Sequence, residues 1–462
     1  MGSDPSKYVD LSTASQKFDE YWRDKKRPSN LAEFGRVLGL RPDGLAAMFR
    51  LYPDINEQVF FSRVLPFIVD LAAQLPLELP ELKLEKLVQG ESGETRLPRS
   101  LVKSLLAHMF LCLMDPADED MQEVNFHRLH SANASLPQEV AKLRMFVNYF
   151  QCIQAKPPAG ELRIYRRVRP TLETHELDDF WRSSRQPLLP IDMVQMRVGF
   201  EDLVKGEGCI HADFANMLLG GGVLSGGCVQ EEIRFAICPE LCAAMIVCPR
   251  MLDNEAITVV GGEQFSLYSG YAFRLKYAGE FRSPFRQDAD GTPLIAITAM
   301  DALDLRGRDA SLANQMQKWP ELRELEKAAA AFEPVDPEAL HIWPIIATGN
   351  WGCGAFGGSI PLKAVLQWLA ASQGGRTMRY FPFDSPIGRE LSQLSDNLCR
   401  AGLTVGQLYS SLRALRPPQH ESQLLFTLGD QVLRSQPARD SASQKRPVPK
   451  SDSFASRKGC FF

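Results

Sequence analysis

Five glycines fall within the eight residues from Gly220 to Gly227, between a short apolar run and the triplet Gln230-Glu231-Glu232. A strand containing Ile210-His211-Ala212-Asp213 delivers the chain to these glycines, and a helix begins directly after them. Glycines at Gly220, Gly221 and Gly222 let backbone N–H groups approach an anion without interference from a Cβ, and the helix N-terminus adds partial positive charge. A diphosphate is the natural guest. The spacing is not the Walker pattern, which needs Gly-Lys-Ser/Thr, nor the dinucleotide fingerprint with its acid about twenty residues on. The run also reads as a flexible turn before a solvated helix start, because Glu in a first turn is favoured by the helix dipole anyway.

Adjacent acids on a helix point roughly 100° apart, so Glu231 and Glu232 cannot do the same job. One can grip a substrate hydroxyl while the other faces the bond to be broken. In a partly desolvated pocket near a second carboxylate such as Asp213, a Glu pKa rises toward the range of a general acid. Glycosidic cleavage requires such a group. His211 shares a strand face with Asp213, and a satisfied structural role is expected for it.

The remaining sequence frames this site. A length of 462 residues favours two or three domains, and 45% apolar with 23% charged residues describes an ordinary globular chain. A net charge of -4 argues against a general polyanion-binding surface, so an anionic ligand must be held locally. Ten cysteines without a CxxC pair or nearby His read as buried reduced thiols rather than a metal site, which places the chain in cytosol or nucleus. The N-terminus lacks an apolar signal core, although Met1-Gly2 opens a loose match to the myristoylation pattern, which is common by chance. Leu101 to Met114, the most apolar helical stretch in this reading, is too short to span a bilayer.

Helical spacing dominates residues 1–155, as in Phe61-Val64-Leu65-Ile68 and Leu101-Leu105-Met109-Leu113, and predicts an all-helical accessory domain. Residues 156–434 alternate short β-rich runs with helices and predict an α/β domain. Strands are expected at Met193 to Val198, Cys209 to Asp213, Ala256 to Val260, Leu294 to Ala299, Trp343 to Ala347 and Met378 to Phe381. Helices are expected at Val229 to Ile237, Leu312 to Ala331, Leu362 to Ala371 and Pro386 to Arg400. Residues 435–462 carry six basic against two acidic residues and read as a disordered basic tail.

The Gly-Gly-Gly and Gln-Glu-Glu elements, separated by seven residues, resemble the signature of the poly(ADP-ribose) glycohydrolase family. Further blocks resembling the family follow in order: Gly261 to Ala272, Ala347 to Gly358 and Arg379 to Phe383. The resemblance implies a macrodomain fold, a mixed sheet flanked by helices, preceded by the helical accessory domain. It implies hydrolysis of ribose–ribose bonds in poly(ADP-ribose) without metal or organic cofactor. Glu232 would protonate the leaving ribose oxygen and then activate water, Glu231 would hold ribose hydroxyls, and Asn216 and Asp213 would support the same sugar and the loop. Gln230 belongs to the same signature. Gly220, Gly221, Gly222 and Val223 would embrace the diphosphate from one side and Cys353, Gly354, Ala355 and Phe356 from the other, and Asn350 would also meet substrate. Tyr271 would close over it, Phe356 and Phe383 would pack near the terminal nucleoside, and Glu201 would read the adenine, across a two-residue insertion. The implied partners are the polymer and ADP-ribosylated proteins, with no membrane and no sequence-specific nucleic acid. The implied setting is a monomer in nucleus and cytoplasm, acting in the DNA damage response.

Two rival readings stand beside this one. A macrodomain can bind ADP-ribose without cleaving it, and a related hydrolase can remove single ADP-ribose units from proteins. The Glu pair argues against the first, and the accessory region and Gln-Glu-Glu block argue against the second. The tail lies beyond the last motif, so deleting residues 436–462 is expected to leave polymer hydrolysis and melting temperature unchanged near physiological salt. Any effect confined to low salt would reflect its basic excess, which ions screen. Comparison of full-length and truncated protein at two salt concentrations checks this.

Overall fold

The computed structural model describes residues 7–194 and 208–434. Its centre is an eight-stranded sheet in the order Gly93–Pro98, Glu161–Val168, Glu255–Val260, Ala296–Ala299, Cys209–Asp213, Ile345–Gly349, Thr377–Phe381 and Ile191–Met193. The first four strands pair antiparallel, and from Ala296–Ala299 onward every pairing is parallel. Cys209–Asp213 lies inside the parallel half and is buried along its whole length. A strand covered on both faces must be largely apolar; His211 and Asp213 are the exceptions. Loops leave the carboxyl ends of these neighbouring parallel strands on the same edge, the edge at which open α/β sheets bind ligands.

Helices cover both faces. On one, Pro137–Ala155 is buried on nearly every side from Gln138 to Phe150, because it lies between the other N-terminal helices and the layer formed by helix Gln230–Ile237 and the hairpin of Ser266–Ser269 with Lys276–Glu280. A single apolar core runs from Phe34, Phe60 and Leu105 through Phe146 to Ile164, Val259 and Ile297. On the other face, Leu325 of Lys318–Phe332 and Trp368 of Ile360–Gln373 join a core with Ile210, Ile346 and Met378. Cys228, Cys242 and Cys248 are buried thiols.

Three details differ from the sequence reading, and one expected strand lies mostly outside the described residues. The N-terminal region carries strands as well as helices: Tyr8–Asp10 pairs with Lys83–Glu85, and Gly93–Pro98 joins the main sheet against Glu161–Val168. Thr95 and Leu97 point inward while Glu94 and Arg96 point out, a period of two hidden in a charged stretch. The helix expected from Leu312 to Ala331 is split into Leu312–Gln315 and Lys318–Phe332, because Pro320 lacks an N–H and is tolerated only in a first turn. The strand expected from Met193 to Val198 meets the observed strand Ile191–Met193 at its first residue, and the rest of it from residue 195 on, with Glu201, lies outside the described residues. Finally, Glu57–Glu78 is a longer apolar helical run than Leu101 to Met114, and half of its 18-residue window is buried, with Phe60, Phe61, Leu65 and Ile68 in the core.

Arg99 ties the N-terminal helical layer to the region that follows it. It is buried at the start of Arg99–Phe110, donates from Nε to both Glu240 oxygens at 3.0 and 2.9 Å, and donates from a terminal nitrogen to Glu263 at 2.7 Å. Burial pushes the Glu240 carboxyl up, and the Arg99 charge holds it down. Replacing Arg99 by Met strands Glu240 in the interior, so unfolding stability should fall by about 3–5 kcal/mol. Urea denaturation of R99M checks this, and the double variant R99M/E240L should recover part of the loss.

Candidate active site

The catalytic-type residues sit where the central parallel strand ends. Strand Cys209–Asp213 is followed by the glycine run, and the chain returns as helix Gln230–Ile237, all of whose residues are buried. Gln230 pins the two together. Its side-chain oxygen accepts from Phe214 N at 2.7 Å, and its amide donates to Ala212 O at 3.3 Å.

Glu231 and Glu232 point back onto the glycine run. Glu231 accepts from Gly220 N at 2.6 Å and Asn216 N at 2.9 Å. Glu232 accepts from Gly222 N at 3.0 Å and, closing the helix N-terminus, from Val229 N at 2.9 Å. A first-turn Glu that returns to its own N-cap N–H is half of a capping box. Burial therefore serves two ends here: it satisfies orphan helix donors and it shapes the loop.

This geometry gives the glycines a role that differs from the one expected of them. Gly220 and Gly222 spend their N–H groups on the glutamates, and Gly221 donates to Leu218 O at 3.1 Å. Gly221 has φ +49, and a Cβ there would stand 2.6 Å from one oxygen of each glutamate. At Gly227 a Cβ would stand 2.5 Å from Glu232 Oε1. Here the run is glycine because two carboxylates need the space.

Asp213 completes the group. It is fully buried, and both of its carboxylate oxygens lack a hydrogen-bond donor among the described residues. Burial pushes its carboxyl up to about 7, with the Arg234 charge pulling down and Glu232 pushing further up. Glu231 is pushed well above the usual carboxylate range by burial and by Asp213 and Glu232, against the pull of the Asn216 and Gly220 N–H groups. Burial and the mutual repulsion of like charges thus both favour the protonated form of Asp213 and of Glu231. Glu232 is the more exposed of the adjacent pair, at 8% against 2%.

The second loop leaves strand Ile345–Gly349. Trp351 is buried and donates from its indole to Met300 O at 3.0 Å. Gly358 N donates to Gly352 O at 2.9 Å, and Leu305 N to Phe356 O at 2.8 Å. The N–H groups of Gly354, Ala355 and Phe356 donate to nothing among the described residues, and Gly354 and Ala355 are exposed. Three such donors in succession make a concavity for an anion. Cys353 Sγ lies 3.3 Å from Trp351 O. Asn350 bridges loops: its amide donates to Pro382 O at 3.1 Å and its oxygen accepts from Tyr380 at 2.8 Å.

The aromatic residues divide. Phe383 is half-buried with φ +55 and packs against a small cluster of Cys209, Ala347 and Phe381 that also takes Phe214. Tyr271 is 42% exposed, beyond strand Ser266–Ser269, in a turn it shares with Phe273, 75% exposed. Asn216 is exposed, and Val223 is buried in the core. His211 Nδ1 lies 3.2 Å from Arg234, a structural contact as expected. Sequence reasoning passed over Gln122, which donates to Gly221 O, and Lys142, which donates to three carbonyls of the run. No local pattern marks either one, since both come from the N-terminal region.

A macrodomain-type sheet with a buried Glu pair at its crevice, fronted by a helical layer, defines the class of protein. The family model for the poly(ADP-ribose) glycohydrolase macrodomain fold matches residues 178–387, and that for the family's helical domain matches residues 52–166. A probable poly(ADP-ribose) glycohydrolase 2 of Arabidopsis thaliana is 33% identical, covering 76% of this chain and 77% of its own. Poly(ADP-ribose) glycohydrolase 1 of the same plant is 30% identical, covering 80% and 81%. Poly(ADP-ribose) glycohydrolase 1 of Caenorhabditis elegans is also 30% identical, covering 80% of this chain and 46% of its own. The chain belongs to the poly(ADP-ribose) glycohydrolase family.

Placing a side chain at Gly221 should displace both carboxylates. Gly221→Ala is expected to lower turnover of poly(ADP-ribose) about 100-fold, the scale of an ångström-sized misplacement. Stability should fall by only about 1–2 kcal/mol, for a left-handed residue. Steady-state kinetics and thermal melts of the variant check both.

Proposed function

We propose that the protein hydrolyses the ribose–ribose O-glycosidic bonds of poly(ADP-ribose), releasing ADP-ribose, with Glu232 as general acid and then general base. The observation that carries this reading is the buried pair Glu231 and Glu232, held by loop N–H groups beside Asp213 at the end of the central strand. A module that only bound ADP-ribose would have no use for that carboxylate cluster. In the forward step Glu232 gives its proton to the leaving ribose oxygen as the glycosidic bond opens toward an oxocarbenium ion. It then takes a proton from the attacking water, which delivers hydroxide to the anomeric carbon and restores the acid. Negative charge on the carboxylate group favours the cationic transition state.

Glu231, already tied to Asn216 and Gly220, would orient ribose hydroxyls. The unspent N–H groups of Gly354, Ala355 and Phe356 support a diphosphate site on the second loop. The glycine run would meet the same group from the opposite side, chiefly through shape. Tyr271 would close over the ligand and Phe383 would pack near its nucleoside. The partners we propose are the polymer and ADP-ribosylated proteins in nucleus and cytoplasm, met by a monomer in the DNA damage response.

Incubation with purified polymer, resolving mono-, oligo- and polymeric products, tests the activity. Glu232→Gln keeps the shape but cannot deliver a proton. Its kcat should fall at least about 100-fold, the lower end for losing a general acid, while ADP-ribose affinity by calorimetry stays near wild type. A variant with more of its rate would move the role to Glu231.

A further inference from the structure

Lys142 lies in the buried helix Pro137–Ala155, outside the macrodomain, with no exposed surface. Its Nζ donates to Gly222 O at 3.0 Å, to Ser225 O at 2.7 Å and to Gly227 O. An ammonium has three donors, and all three end on the glycine run. Among the described residues no carboxylate pairs with it at ion-pair distance. Gly222 is the link: its carbonyl accepts from Lys142, while its N–H donates to Glu232.

We infer that Lys142 is a positioning residue of the active site: its ammonium clamps the glycine run from the helical layer and thereby sets where Gly222 holds Glu232. The inference rests on the reading of Glu232 as the acting carboxyl. A buried lysine needs a reason to be there, since an apolar residue would cost less. Three carbonyls turned inward by a tight loop are that reason, and a neutral amine, with two donors, would leave one of them unsatisfied. Burial pushes Lys142 down to about 8. The groups that face it and pull the other way are Glu232 and Cys228 from the catalytic segment, Glu139 from its own helix and Cys242 from the turn after the catalytic helix. The clamp therefore loosens as pH rises through about 8, and kcat falls with it.

The test uses the full chain and purified polymer, with kcat and KM of wild type, Lys142→Met and Lys142→Arg followed from about pH 6 to 10, below the ordinary lysine value. Wild-type kcat is expected to decline through about pH 8. K142M should lose about 100-fold in kcat with little change in KM, and show no further decline there. K142R keeps its charge, so it should retain more activity than K142M and move the decline to higher pH. A folded K142M with wild-type kcat overturns the inference. So does a folded Lys142→Gln with wild-type kcat, since an amide has only two donors for three carbonyls, and this decides the matter even if K142M fails to melt cooperatively. If Glu232→Gln abolishes turnover while K142M preserves it, only the clamp fails. If Glu232→Gln preserves turnover, the assignment of the acting carboxyl fails instead.

Discussion

Three carboxyl groups, Asp213, Glu231 and Glu232, share one interior corner of this protein, and burying charge is the most expensive thing a fold can do. Everything nearby offsets that cost. Backbone N–H groups of Asn216, Gly220, Gly222 and Val229 meet the two glutamates, and the positive end of helix Gln230–Ile237 lies under them. Asp213, which receives no such donor, retains acid character through burial and is restrained by Arg234. The glycines, the starting residue of the helix and the end of the strand all follow from the need to bring N–H groups to carboxylates without intervening side chains.

The change of direction within the sheet supplies the place for this corner. Parallel strands must send their chain back by crossover, so their carboxyl ends are free to carry loops. Cys209–Asp213 and Ile345–Gly349, neighbours in the parallel half, send their loops from the same edge of the sheet. The antiparallel half contributes no loop residue to the carboxylate group. Its charged interior contacts, such as buried Arg166 with Glu255, hold the sheet in register instead.

Strand Cys209–Asp213 and helix Gln230–Ile237 were legible because each obeys a local rule: a buried parallel strand is an apolar run, and glycines punctuate before an acidic helix start. The Glu pair was legible for the same reason, and the family blocks carried the second loop. Gly93–Pro98 was not legible, because Glu94 and Arg96 mask its alternation and its pairing partner lies far along the chain. Lys142 was invisible for a related reason. Nothing in Val140-Ala141-Lys142-Leu143 announces that the charged member points inward, since what it binds is folded from another region. Gln230 and Asn350 were found by resemblance, yet their side-chain amides are spent on the backbone, at Phe214 N and Pro382 O. Residue type identifies a polar anchor but not what it anchors.

The outermost strand of the sheet, Gly93–Pro98, comes from the N-terminal region, and it has the features of a protected border: six residues, two of them charged, closed by a proline. Its neighbour Glu161–Val168 is longer and carries Leu162, Ile164 and Tyr165. A fragment beginning near residue 156 would present that neighbour's unpaired backbone to solvent, a template for self-association. The two regions are thus distinct in sequence yet closed into one sheet. The N-terminal region would act as an internal guard against aggregation, shielding an edge that its own chain would otherwise leave open.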